Sequence, residues 1–201
     1  MASGSYSFNL KSHPDKRLVD HLRRVGDLAK KTVAEKSLNI DDAEVLEDAA
    51  YLIGITHDLG KATSFFQEYI DEKDEGKKRS LKARDVTHHG LLSAFITYAV
   101  MRDYLRQTGR SGELADYLPI LSFLAVKRHH GNLLNAMDEI KDIDADKDRI
   151  LKVAQEQIES IDMTGRAEIN EIAWVLLQEG NIDLEFNFNN IINYILIYFN
   201  I

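Results

Sequence analysis

The sequence predicts an all-α fold, folded as a single domain over residues 1–201 with about seven to eight helices. Apolar residues recur at three- and four-residue spacing along nearly the whole chain, the signature of helices with one buried face. Only two prolines, Pro14 and Pro119, interrupt that pattern. No stretch shows convincing strand alternation, and no repeat recurs at the periods typical of solenoids.

The elements follow in order. Leu18, Leu22, Val25, Ala29 and Val33 mark one face of a first helix, which His21 shares. "NIDDAEVLEDAAYLIGITHDLG" predicts a second, with Asp41 or Asp42 as N-cap and Gly60 where a C-terminal glycine stands. A short helix is expected over Thr63 to Asp71, and "EKDEGKKRSLKARDVT" reads as a charged loop. "HHGLLSAFITYAVMRDYLRQ" reads as a buried helix ending near Gly109, and "ELADYLPILSFLAVKRHHG" as another stopped by Gly131. "DADKDRILKVAQEQIESI" and "AEINEIAWVLLQEG" add two more. "FNNIINYILIYFNI" is apolar to its last residue. It reads either as a last core helix docked on the body or, the favoured reading, as a helix whose chain continues in a longer protein.

Composition narrows the function classes. The chain has no cysteine, which excludes disulfides and thiolate metal sites and fits a reducing, cytoplasmic compartment. "MASGSYSFNL" lacks the charged and apolar regions of a signal peptide, and "MASGS" reads as an added tag. No run of about 20 apolar residues is present, so no membrane span is expected. A net charge of −8 argues against nucleic-acid binding over the whole surface. It leaves room for a local basic groove or a metal-dependent nuclease, because bound cations change the local charge.

The histidines carry the chemistry. Of seven, four form the adjacent pairs His88-His89 and His129-His130, each beside a glycine at a predicted helix boundary. Random placement yields about 0.2 such pairs. His57-Asp58 lies near a helix end, where side chains can converge on one cleft. Imidazole nitrogen and carboxylate oxygen together suit Mn, Fe, Co, Ni or Zn. A carboxylate can bridge two ions and an imidazole cannot, so a His-Asp pair can supply a terminal ligand and a bridge. His21, His57, Asp58, His89, His129 and His130 are more ligands than one ion ordinarily takes. The competing readings are a helix-end charge pair at His57-Asp58 and a satisfied core histidine at His21. His13, before Pro14, reads as an ordinary surface residue, and His88 as the weaker member of its pair.

These segments resemble the HD phosphohydrolase superfamily, and more closely the HD nuclease of CRISPR type I interference. "LVDHLRRVGDLA" resembles that family's first helix, with His21 in a ligand place. "THDLGKATSFFQEYI" resembles its HD helix and the phenylalanine-rich segment after it. "HHGLLSA" resembles its H-x-x-x-S-A stretch, a spacing that selects His89 over His88, and "RHHGNL" resembles its paired histidines. The resemblance spans about Leu10 to Leu133, roughly two-thirds of the chain. It implies an all-α, divalent-metal nuclease that cuts single-stranded DNA without sequence preference, using Mn, Co or Ni, or Mg in some members. The partners it implies are a CRISPR-associated helicase, on the same or a separate chain, and an RNA-guided surveillance complex. One departure stands out. Family members usually carry a further aspartate ligand after a late apolar run, whereas "INYILIYFNI" ends the sequence, and Asp183 before it does not look equivalent.

The mechanism so implied has His21, His57, Asp58 and His89 holding one ion and Asp58, His129 and His130 a second, with activated water attacking phosphorus in line. Asp58 and Lys61 are the candidate catalytic residues. Lys61 contacts a phosphate oxygen or orients the nucleophile, or else is a solvated lysine favoured by the helix dipole. Ser93, one turn past His89, reads as a packing residue with a supporting role possible. Lys77, Lys78, Arg79, Lys82 and Arg84 form a cationic strip able to track phosphates, or simply a solvated loop, and Arg128 is a candidate phosphate contact. Phe65 and Phe66 can stack bases, although at that spacing one is expected in the core. Two alternatives remain: an HD phosphohydrolase acting on small nucleotides, and a metal-binding scaffold that recruits a helicase without catalysis.

Overall fold

Two bare backbones set the first helix crossing. In the computed structural model, which describes residues 8–39, 43–131 and 135–199, α1 (Leu18–Ala34) packs along α2 (Ala43–Thr56). A Cβ on Gly54 would stand 2.6 Å from Gly26 Cα, and one on Gly26 would stand 2.6 Å from Ile55 Cγ2. Only glycine permits this approach. It brings His21 of α1 against the end of α2, where the His57-Asp58 dipeptide follows.

After Thr56 the chain turns through a 3-10 segment, Leu59–Ala62, into α3 (Ser64–Asp71), capped by Thr63. Gly60 is not the left-handed helix stop that its position predicts; the described glycines with positive φ are Gly109 and Gly112. Space selects it instead, since a Cβ there would meet His89 O at 2.4 Å and Ser93 Oγ at 2.8 Å.

Ten helices are present among the described residues, against the seven to eight predicted. One of the additions is α4 (Glu75–Lys82), in the stretch expected to be a loop. Asp74 Oδ1 accepts from Lys77 N at 2.8 Å, and Glu75 opens the helix while Arg79 and Lys82 close it, with charges that complement the dipole. The helix buries no residue, so it leaves no apolar period to read. The other addition is α7 (Ala136–Ala145), which also falls outside the predicted pattern. A third difference is a small antiparallel ribbon, β1 (Lys11–His13) and β2 (Lys16–Arg17), turning at Pro14-Asp15.

The core surrounds α5 (Gly90–Gln107), which buries Leu92, Phe95, Ile96, Ala99, Val100 and Met101. It packs against α2 and α6 (Glu113–Lys127). The next helices are α8 (Lys147–Glu159) and α9 (Met163–Glu179). Finally, α10 (Phe188–Tyr198) buries Phe188, Ile191, Ile192 and Ile195, and so docks as a core helix, while Ile197 is 81% exposed. Asp41, Asp42, the first seven residues and the last two lie outside the described residues. Among those described, no helix is long and apolar enough to cross a membrane.

Candidate metal centre

Asp58 is 1% exposed and sits where four elements meet. His21 Nε2 from α1 lies 2.8 Å from Oδ2, and His57 Nε2 lies 3.3 Å from the same oxygen. On the other side, His89 Nε2 at the start of α5 is 3.0 Å from Oδ1, and His129 Nε2 just past α6 is 3.2 Å from it. His130 Nε2 is 3.0 Å from His89 Nε2. The side chains thus sort into two groups that share the carboxylate: His21, His57 and Asp58, and Asp58, His89, His129 and His130. His89 falls in the second group, not the first as the sequence led us to expect, because its Nε2 faces Oδ1 and His130 together.

Backbone carbonyls aim the rings. His57 Nδ1–H donates to Gly54 O at 2.7 Å, and His129 Nδ1–H donates to Val126 O at 2.5 Å. Each donation leaves the neutral ring's Nε2 as a bare lone pair facing a carboxylate oxygen. Two acceptors do not hold each other at such distances without a positive charge between them. Oδ2 is buried and has no aligned hydrogen bond, although nitrogens crowd it. A buried carboxylate with the imidazoles of His21 and His57 on one oxygen and those of His89 and His129 on the other is the donor set a divalent ion of the Mn-to-Zn series takes.

The electrostatics agree. Burial pushes the Asp58 carboxyl up, but His129, His21, His57 and His89 together hold it far below the usual carboxylate range. Burial lowers the His129 imidazole, and Asp58 with the Val126 carbonyl raise it above its ordinary value, so a proton can stand in for the cation there. Burial keeps His89 below its ordinary value. Burial and the neighbouring rings of His129 and His89 push His130 down to about 4.

Lys61 is not the solvated lysine of the plainer reading. It is 3% exposed, and its Nζ lies 2.8 Å from Asp58 Oδ2 and 5.3 Å from the Phe66 ring centre. Ser93 Oγ accepts from Gly60 N at 2.9 Å, and Thr56 and Thr97 share a 2.8 Å hydroxyl hydrogen bond. These contacts tie the His57-Asp58 turn to α5, which carries His89 at its head. From α8, buried Gln157 Nε2 donates to Val86 O and His88 O at 2.9 and 3.0 Å, fixing the approach to His89.

Residues 16–184 match the family described as Cas3, HD domain. The chain belongs to this family. It is therefore a CRISPR-associated HD nuclease domain by kinship, and HD domains bind divalent metals. No curated protein matches the chain, and no solved structure does.

For this HD domain the structure brings together all six ligand candidates and Lys61. Arg128 lines an adjoining groove of about 1010 Å³, as does Lys78, but Lys77 and Arg79 do not. Phe66 is buried with its edge toward His89 at 5.1 Å, and Phe65 lies under the Arg84 guanidinium at 5.1 Å. His88 is exposed and contacts Lys82 O at 3.0 Å. His13 is exposed, as expected of a surface residue, but its nearness to the site was not legible. The ribbon sets its ring 5.4 Å from that of His21, on the groove wall, with Nδ1 3.1 Å from Ser12 Oγ. Gln67 and Glu168 pin this segment: Lys11 N donates to Gln67 Oε1, and Asn9 N and Leu10 N donate to Glu168 Oε1. The Pro14-Asp15 dipeptide was the available signal, a turn former between two short polar runs.

Proposed function

We propose that this chain is a divalent-metal-dependent nuclease that hydrolyses phosphodiester bonds of single-stranded DNA without sequence preference, in CRISPR type I antiviral defence. The observation that carries the reading is the convergence of His21, His57, His89 and His129 on one buried carboxylate, with His130 beside them, next to an open groove of about 1010 Å³. His21 and His57 would hold one ion with Asp58, and His89, His129 and His130 would hold a second with the same residue. When bound, such a pair of ions makes water acidic enough to attack phosphorus near neutral pH and offsets charge on the phosphate oxygens. The chain's own residues do the rest. The Gly54 and Val126 carbonyls keep the His57 and His129 rings turned so that Nε2 faces Asp58, where an ion would bind. Lys61 Nζ places a cation beside Asp58, where a phosphate oxygen would lie, and Arg128 supplies another on the groove wall.

The domain spans residues 1–201 in this reading. It works in the cytoplasm with a CRISPR-associated helicase and an RNA-guided surveillance complex, using Mn, Ni, Co, Fe or Zn, with Mg as a further candidate. The groove favours a polymer over a mononucleotide, because at about 1010 Å³ it is open and at the upper end of small-ligand pockets. Circular single-stranded DNA and, separately, mononucleotides are incubated with Mn, Ni or Mg, and with chelator. Nicked and degraded circles in the metal arms alone support the nuclease. Intact circles with dephosphorylated nucleotides give the site to small-nucleotide hydrolysis. No reaction on either, with Asp58→Ala altering only metal content, gives it to a scaffold.

A further inference from the structure

Past the metal ligands, the groove has a second chemistry. A run of rings leads away from His89: Phe66 lies 5.1 Å from it, and Tyr69 lies 5.8 Å from Phe66. Lys78 Nζ then stands 5.7 Å over the Tyr69 ring. Lys78 and Lys82 are one turn apart on α4, so both ammonium groups leave the same face, and both line the groove with Tyr69. Their neighbours Lys77 and Arg79 are exposed and line no part of it. The two carboxylates on the groove wall, Asp85 and Asp146, are both ion-paired with Arg149. They are thereby kept from cancelling the α4 cations.

We propose that the strand entering the metal centre is held on its flank by Tyr69, Lys78 and Lys82, with one base stacked on Tyr69 and two phosphates on the lysines. The ligand class is single-stranded nucleic acid, bound without base reading. An aromatic face accepts any base, and ammonium groups contact only the backbone. The track rests on the nuclease reading and adds to it a binding surface outside the HD motif. It also replaces Phe65 and Phe66 with Tyr69 as the stacking residue, because Phe66 is buried and Phe65 does not line the groove.

The test compares two double variants of equal charge change on one exposed helix, Lys78→Gln/Lys82→Gln and Lys77→Gln/Arg79→Gln. Fluorescence anisotropy of a labelled oligo-dT is read against salt in chelator, so that metal does not contribute. The first variant is expected to flatten the slope of log K against log salt by about 1.4, two phosphates at about 0.7 each. The second is expected to keep the parent's slope. Tyr69→Ala is expected to weaken binding about tenfold, and Tyr69→Phe to retain it. Equal slopes for the two double variants overturn the track, as does a Tyr69→Ala protein that binds like the parent. Cleavage of circles by the parent is read separately. Cut circles with equal slopes sink the track and leave the nuclease standing; circles untouched while mononucleotides react sink both.

Discussion

Asp58 and Lys61 show how one buried carboxylate can be neutralised in two ways. Among the described residues Lys61 is its one lysine or arginine partner, at 2.8 Å, with the surrounding imidazoles adding partial charge. Lys61→Met removes one half of a buried ion pair, a change that costs roughly 3 kcal/mol. Bound metal supplies the missing charge, so the loss is expected to shrink. Urea unfolding in chelator and in Mn measures both values, and an equal loss in the two would contradict the shared role. Asp58→Asn keeps the shape and removes the bridge. Since altering a group that merely orients a ligand costs about 10–100-fold in metal affinity or activity, losing the shared ligand is expected to cost more than about 100-fold. Metal content by elemental analysis should fall together with the rate of DNA cleavage.

Between elements, the site depends on how closely a turn approaches a helix. Gly60 sits under His89 O and Ser93 Oγ with no room for a methyl group. Gly60→Ala is expected to destabilise the protein by about 1–3 kcal/mol, the usual cost of overpacking. It should also lower metal affinity, because Asp58 and His89 lie on the two sides of that contact. Ser93→Ala acts on the same contact from the other side, leaving Gly60 N buried without its acceptor at a similar cost of about 1–3 kcal/mol. Calorimetry with and without metal separates the effects: for Gly60→Ala the metal-induced gain in stability should itself diminish. The α4 helix shows the opposite case. It is held by the Asp74 cap and by charge placement without burial, so Asp74→Ala should loosen α4 by about 1 kcal/mol. Hydrogen exchange at Lys77 to Lys82 would report this without a change in global stability.

For the whole molecule, the ligand candidates come from α1, the turn after α2, the head of α5 and the segment after α6. Metal binding therefore cross-links elements far apart in sequence. Bound at a hundred times its dissociation constant, an ion adds about 2.7 kcal/mol. For a domain of this size that corresponds to a rise in Tm of roughly 5–10 °C. Thermal unfolding in Mn against chelator should show the shift, and Asp58→Asn should abolish it.

How much was readable follows from what each signal depends on. The all-α class and the residues that gather around Asp58 were legible, because apolar periodicity and the placing of chemically unusual residues are properties of the chain order itself, while the preference for His89 over His88 came from the family resemblance. His57-Asp58, His129-His130 and their glycines needed no coordinates to be found. The tertiary structure alone decided the rest. α4 hid from periodicity because it buries nothing, and Gly60 looked like a helix stop until packing revealed the missing space. His13 is a surface residue, as its place before Pro14 suggested, and only the ribbon sets it beside His21. Which carboxylate oxygen each histidine faces, and whether Lys78 or Lys77 looks into the groove, are matters of rotation and contact between distant segments. A sequence specifies which groups are available, and only packing sets the few ångströms that make them act together.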